Sequence, residues 1–199
     1  MPDNKFKGIY RISSARAQWH NYEGGEYFVT ICTQNREHFF GEIVNGEMLL
    51  SEVGGILMEQ IEKTSQMRPD MNIDIPLFVI MPNHVHLIIF IGNNKYNAVS
   101  PPRRDAMHCV STNGNAPHCV PTQDNFSPQS KNLASIVRGI KIGTTVYTRK
   151  NNIPFAWQAR FHDRIIRNQN ELNRIAKYIE NNVAQWEYDE LNRETLHRT

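Results

Sequence analysis

Two histidines stand at alternate positions in "MPNHVHLIIFI", residues 81–91, at the head of an apolar run. Side chains alternate between the faces of a β-strand, so His84 and His86 point the same way, roughly 7 Å apart along the chain, and Val85 points the other way. Two imidazoles that close can converge on one ion. Nitrogen ligands suit Mn, Zn, Ni or Cu, and an added oxygen ligand or a bound phosphate brings in Mg or Mn. The competing reading makes both rings half-buried strand residues satisfied by their neighbours. Far downstream, Tyr178 and Asn182 lie four residues apart, a spacing that stacks two side chains on one flank of a helix and lets both face one site.

Elements must exist to position these groups. Residues 26–35, "EYFVTICTQN", are rich in aromatic and β-branched side chains and predict a strand. A short strand follows at 46–50. Ser51 can then cap a helix with Val53, Ile56, Leu57 and Ile61 inward, ending before Pro69. "IPLFVIMPN" and "HVHLIIFI" predict two strands joined by a turn at Pro82-Asn83, the hairpin that presents the histidines. Leu133, Ile136, Val137, Ile140 and Tyr147 follow helical spacing, with Arg138 and Lys141 toward the polar side and Gly139 and Gly143 loosening the helix. Residues 153–167 mix loop with a short strand. A last helix starts near Asn170 and buries Leu172, Ile175, Ala176, Ile179 and Val183. This order of elements predicts an α+β fold with a mostly antiparallel sheet covered by helices.

The 199 residues suffice for a single domain with a substantial core. Residues 92–130 turn to Asn, Pro, Ser, Thr and Gln without periodicity, as expected of a flexible insert. The insert repeats itself as "HCVSTNGNAP" and "HCVPTQDNFS"; lacking a compact C-x-x-C spacing, these echoes fit a variable surface segment better than a zinc site. Three cysteines, Cys32, Cys109 and Cys119, argue against a disulfide framework and for a reducing compartment. With no long apolar run and no signal-peptide core at the N-terminus, the expected location is the cytoplasm and no membrane partner is expected. The formal charge is only +2, yet residues 131–177 carry ten Lys and Arg against Asp163 and Glu171. Such a segment suits a polyanion such as nucleic acid, or else forms a solvated helix face.

"MPNHVHLII", then a basic region, then "WQARFHDRIIR" and "IAKYIENNVAQW", resembles in this order the single-tyrosine HUH transposases, most closely the REP-associated tyrosine transposases. The resemblance runs from about Tyr27 to Trp186, excepting residues 92–130. It implies a ferredoxin-like fold in which His84 and His86 bind a divalent metal, Mg or Mn, and Tyr178 is the nucleophile. Asn182 falls where the family has a polar residue completing the metal site. The family pattern continues with Pro after that residue, whereas this chain has Val183. A phenol is a poor nucleophile near neutral pH until a cation or base helps it ionise, and a metal can also neutralise charge on a phosphodiester. The implied reaction is metal-dependent cleavage and rejoining of single-stranded or hairpin DNA through a 5′-phosphotyrosine. Arg138, Lys141, Arg160, Arg164 and Arg167 are the candidate DNA-binding residues, some of which could instead pair with Asp163. Phe155, Trp157 and Phe161 could be base-stacking platforms or core residues. The family includes monomers and dimers that exchange the tyrosine helix, and the glycine-containing stretch before that helix permits a homodimer.

A histidine-triad hydrolase would need a third alternating histidine, and that position is Ile88. A replication-initiator or relaxase nuclease shares the HUH chemistry but fits "WQARFHD" and "YIENN" less well. The rival of another class is a domesticated transposase that binds DNA without cutting it. Intact His84, His86 and Tyr178 weigh against that rival.

Overall fold

β-Branched and aromatic residues in the segment Gly25–Cys32 form the first strand, β1, of a computed structural model that describes residues 22–97 and 131–193. The other elements are β2 (Gly41–Val44), β3 (Glu47–Leu50), α1 (Glu52–Met67), β4 (Ile73–Met81), β5 (His84–Ile91), α2 (Leu133–Lys150), β6 (His162–Ile165), α3 (Gln169–Asn181) and α4 (Glu190–Arg193). A 3-10 turn, Val183–Tyr188, links α3 to α4.

The main sheet has the order β4-β5-β1-β6, and every neighbouring pair is antiparallel. β1-α1-β4 and β5-α2-β6 are two interleaved β-α-β units, the ferredoxin-like arrangement. β5 is central and buried on both sides, which is why it reads as a continuous apolar run. Its odd-numbered residues Val85, Leu87, Ile89 and Ile91 join Tyr27, Val29 and Ile31 beneath α1 and α2. Its even-numbered residue Ile88 packs with Ile166, Ile175 and Ile179 beneath α3. By the same alternation His84 and His86 belong to the α3 side of the sheet.

The start of α1 follows the sequence: Ser51 Oγ accepts the Gly54 N–H at 3.1 Å, and Val53, Leu57 and Ile61 are buried. α2 differs from expectation. It runs unbroken for 18 residues behind a capping box of Asn132 and Ser135. Gly139 and Gly143 do not interrupt it; a Cβ at either position would meet only the side-chain ends of Arg68 or Gln60 of the α1 region. α3 begins one residue before the expected start, with Asn168 Oδ1 accepting the Glu171 N–H at 2.9 Å, and ends at Asn181, so Val183 opens the 3-10 turn instead of extending the helix. β1 stops at Cys32 rather than Asn35, because Asn35 and Arg36 take positive φ values of 53° and 59° and turn the chain away.

Residues 92–97, read as the start of the insert, are tied down. Gly92 N donates to Asn72 O at 2.9 Å, and Asn97 Nδ2 donates to Gly92 O at 2.9 Å and Glu23 O at 3.0 Å. One Asp70 oxygen accepts from Tyr96 Oη at 2.6 Å and from Lys131 Nζ at 2.5 Å, which brings the two ends of the insert together. Residues 98–130, including the His-Cys echoes, lie outside the described residues. Among the described residues no helix is long and apolar enough to cross a membrane.

Candidate metal and tyrosine site

The turn between β4 and β5 begins the site. Asn83 is fully buried, and its Nδ2 donates to Arg36 O at 3.2 Å and Leu191 O at 3.0 Å. Both partners are carbonyls that only accept, so the amide oxygen must face the other way, toward His84 Nδ1 at 2.8 Å. His84 Nδ1 therefore carries the ring proton and donates it to Asn83. Its Nε2 is a lone pair aimed into the site.

His86 meets His84 with 3.1 Å between the two Nε2 atoms. Its Nδ1 lies 2.8 Å from Thr30 Oγ1 on β1. A hydroxyl can donate or accept, so Thr30 supports either tautomer of His86. With Nε2 protonated, His86 donates to His84. With Nδ1 protonated, both Nε2 lone pairs face one point, which is repulsive until a cation sits between them. Burial holds His84 well below the ordinary histidine pKa, helped by the charges of His86 and Arg36, and burial alone pushes His86 down to about 4. Both rings are thus neutral at pH 7, the form that can ligate a metal.

Two oxygens complete the surroundings. Asp189 Oδ2 lies 3.8 Å from His84 Nε2, and the ligating atoms of His84, His86 and Asp189 are all within 4.8 Å of one another. Asp189 Oδ2 and the Oδ1 of Asn182, a residue only 3 % exposed, are buried without a hydrogen-bond partner among the described residues. Buried acceptors left unmet cost about 1–3 kcal/mol each, more when charged. Two neutral imidazoles and the Asp189 carboxylate around one space could hold a metal ion, and Asn182 lines the adjoining cleft together with Asp189.

Tyr178 on α3 is 42 % exposed, with Oη 3.3 Å from His86 Nε2. Its ring stands edge-on to Phe28, with centroids 6.1 Å apart. In front of it opens a cleft of about 380 Å³ lined by Tyr178, Asn182, Gln185, Tyr188, Asp189 and Leu191. The structure thus brings His84, His86, Tyr178 and Asn182 to one place on the α3 side. The sequence reading missed Asp189, Asn83 and Thr30. No periodicity marks Asp189, since it follows a 3-10 turn; the only signal was the need of an H-x-H pair for a nearby oxygen ligand.

No family model matches the chain. A protein of unknown function from Haemophilus influenzae is 36 % identical over 186 residues, covering 92 % of this chain and 94 % of its own. The two belong to one family. Among solved structures, a REP-associated tyrosine transposase bound to a REP hairpin matches with a TM-score of 0.52 and 22 % identity, over 90 % of this chain and 77 % of that one. The chain therefore has a transposase-like fold.

In this member of the family the expected DNA-binding residues divide between the two sides of the sheet. Arg138, Lys141 and Arg160 line a cleft of about 530 Å³ on the α2 side, with Arg149, Ile142 and Phe161. Lys141 is already engaged: its ammonium donates to Gln158 O at 2.8 Å and Arg160 O at 2.6 Å, and burial lowers its pKa to about 8. Arg164 pairs with Glu171 at 2.6 Å, and Glu171 also accepts the Arg167 backbone N–H at 3.1 Å. Phe155, Trp157 and Phe161 are half-buried against the main core, with Phe155 and Trp157 centroids 5.0 Å apart, which is the core alternative of the two readings.

Proposed function

We propose that this chain is a metal-dependent single-tyrosine HUH transposase or endonuclease that cleaves and rejoins single-stranded or hairpin DNA through a 5′-phosphotyrosine. The observation that carries the proposal is the half-exposed Tyr178 hydroxyl 3.3 Å from His86 Nε2, at the edge of a pocket with two unmet oxygens. A likeness of fold to a transposase bound to a DNA hairpin supports the same reading.

His84, His86 and Asp189 would hold the metal, with Asn182 Oδ1 as a fourth donor. When bound, a divalent cation supplies positive charge that favours the ionised phenol and neutralises the non-bridging phosphate oxygens. Tyr178 Oη attacks phosphorus in line. The bond from phosphorus to the 3′ oxygen breaks, leaving a 5′-phosphotyrosine and a DNA 3′-hydroxyl. The proton lost by the phenol is balanced by the proton gained at the 3′ oxygen. Since one phosphodiester replaces another, a 3′-hydroxyl can reverse the step and join a new end without a nucleotide cofactor.

Phosphates of the bound strand would meet Arg138 and Arg160 on one side and Arg164 and Arg167 on the other, with Lys141 holding the loop that carries Arg160. Tyr188, 74 % exposed at the mouth of the cleft, offers a ring on which a base can stack. The test is incubation of the protein with Mn and labelled oligonucleotides drawn from DNA flanking its own gene. An SDS-resistant adduct that requires Tyr178 is expected. Binding without nicking or adduct under any metal would instead favour the non-catalytic DNA-binding reading.

A further inference from the structure

We propose that Asn83 is a positioning residue that assembles the metal site from two separate parts of the chain, the β5 histidines and the arm carrying Asp189. The proposal rests on the metal reading above and adds to it a residue that touches neither metal nor DNA.

The contacts close into a ring. His84 Nδ1–H donates to Asn83 Oδ1 at 2.8 Å, and Asn83 Nδ2–H donates to Leu191 O at 3.0 Å. The Leu191 N–H donates to Asp189 Oδ1 at 2.7 Å. The other carboxylate oxygen, Asp189 Oδ2, returns to within 3.8 Å of His84 Nε2, where the ring began. That last gap is too long for a hydrogen bond and suits an ion lying between the two atoms.

Each link depends on Asn83 being an amide. Its oxygen fixes which His84 nitrogen keeps the proton, and hence which one presents a lone pair. Its nitrogen holds Leu191, and Leu191 holds the carboxylate by its first oxygen so that the second faces the histidines. The second N–H, to Arg36 O at 3.2 Å, anchors the assembly to the chain just after β1. The residue is fully buried, so water cannot substitute for any of these bonds. Because the ion would touch both ends of the ring, ion binding and docking of the arm must strengthen each other to the same extent.

The full chain is titrated with Mn, following the free ion by electron paramagnetic resonance, and hydrogen exchange at 186–193 is followed with and without Mn. In the wild type, Mn should slow exchange at Leu191 by at least about tenfold. Asn83→Asp keeps an acceptor for His84 but removes both N–H donors, so it should bind Mn at least about tenfold more weakly and lose the Mn-dependent protection at Leu191, with circular dichroism unchanged. A folded Asn83→Asp protein that binds Mn within twofold of wild type overturns the proposal. Should that variant fail to fold, the wild-type exchange decides alone, and unchanged Leu191 exchange at saturating Mn overturns it. If the wild type and His84→Ala bind Mn equally poorly, it is the metal reading that has failed, and the positioning role falls with it. If wild type binds and His84→Ala does not, the outcome at Asn83 tests the positioning role separately.

Discussion

The two sides of the sheet handle buried polarity in opposite ways. On the α2 side, Lys141 has both its carbonyl acceptors in place, and Thr144 and Thr148 return their hydroxyls to backbone carbonyls of their own helix. On the α3 side, Asn182 Oδ1 and Asp189 Oδ2 are buried with no hydrogen-bond partner among the described residues, and two imidazole nitrogens face each other at 3.1 Å. The first arrangement is complete without a ligand and serves stability. The second leaves acceptors unmet among the described residues, which is the feature the proposed metal site draws on.

The largest effect that could break this contrast is at Tyr178. Tyr178→Phe should abolish the covalent DNA adduct and leave DNA binding within about twofold, because only the hydroxyl oxygen bonds to phosphorus. A persistent SDS-resistant adduct would send the search to Tyr188, the other tyrosine of the cleft. His84→Ala should reduce cleavage by at least tenfold, and excess Mn should restore part of it by mass action. Cleavage insensitive to both the substitution and the metal would place the chemistry elsewhere.

Acid should expose the strain on the α3 side. The folded-state pKa of His86 is about 4 against an ordinary 6.5, so the unfolded chain gains a proton that the folded chain refuses. The stability this group contributes is complete above pH 6.5 and lost as pH falls through about 4, amounting to roughly 3 kcal/mol. His84 acts in the same direction. Urea midpoints measured in EDTA at pH 7 and pH 4.5 check this; equal midpoints would refute it. On the α2 side, Lys141→Met should lower stability by roughly 1–2 kcal/mol through two lost hydrogen bonds and leave the adduct intact in folded protein. Loss of the adduct with stability unchanged would mean that Lys141 contacts DNA directly. Joining residue 97 to residue 131 through a short glycine linker should have the smallest effect of all, a change in melting temperature of a few degrees.

The α+β class, the β4-β5 hairpin and the Ser51-capped start of α1 were legible in the sequence because each has a local cause: an apolar run, a turn, a Ser at the cap; the Asn132 and Asn168 caps of α2 and α3 were not read. The facing of His84 and His86 was legible too, since strand alternation alone dictates it. β2 was missed although Asn45-Gly46, both with positive φ, is a strong hairpin signal, because its strand is only four residues long and half exposed. Gly139 and Gly143 were legible as weak helix formers, yet α2 runs through them without a break, because a single glycine costs a helix only about 1 kcal/mol and the helix has a buried face to hold it. Asp189 was invisible because its cause is not local. What makes it part of the site is a bond between Leu191 and Asn83, 108 positions apart.

The Asp70 clasp gives the chain a docking port for foreign sequence. Since Tyr96 and Lys131 meet at one carboxylate oxygen, the framework fixes where both ends of the intervening segment stand, whatever its length. A reporter, a folded module or a DNA-reading domain could be spliced there while β5 keeps its pairing with β1 and β4.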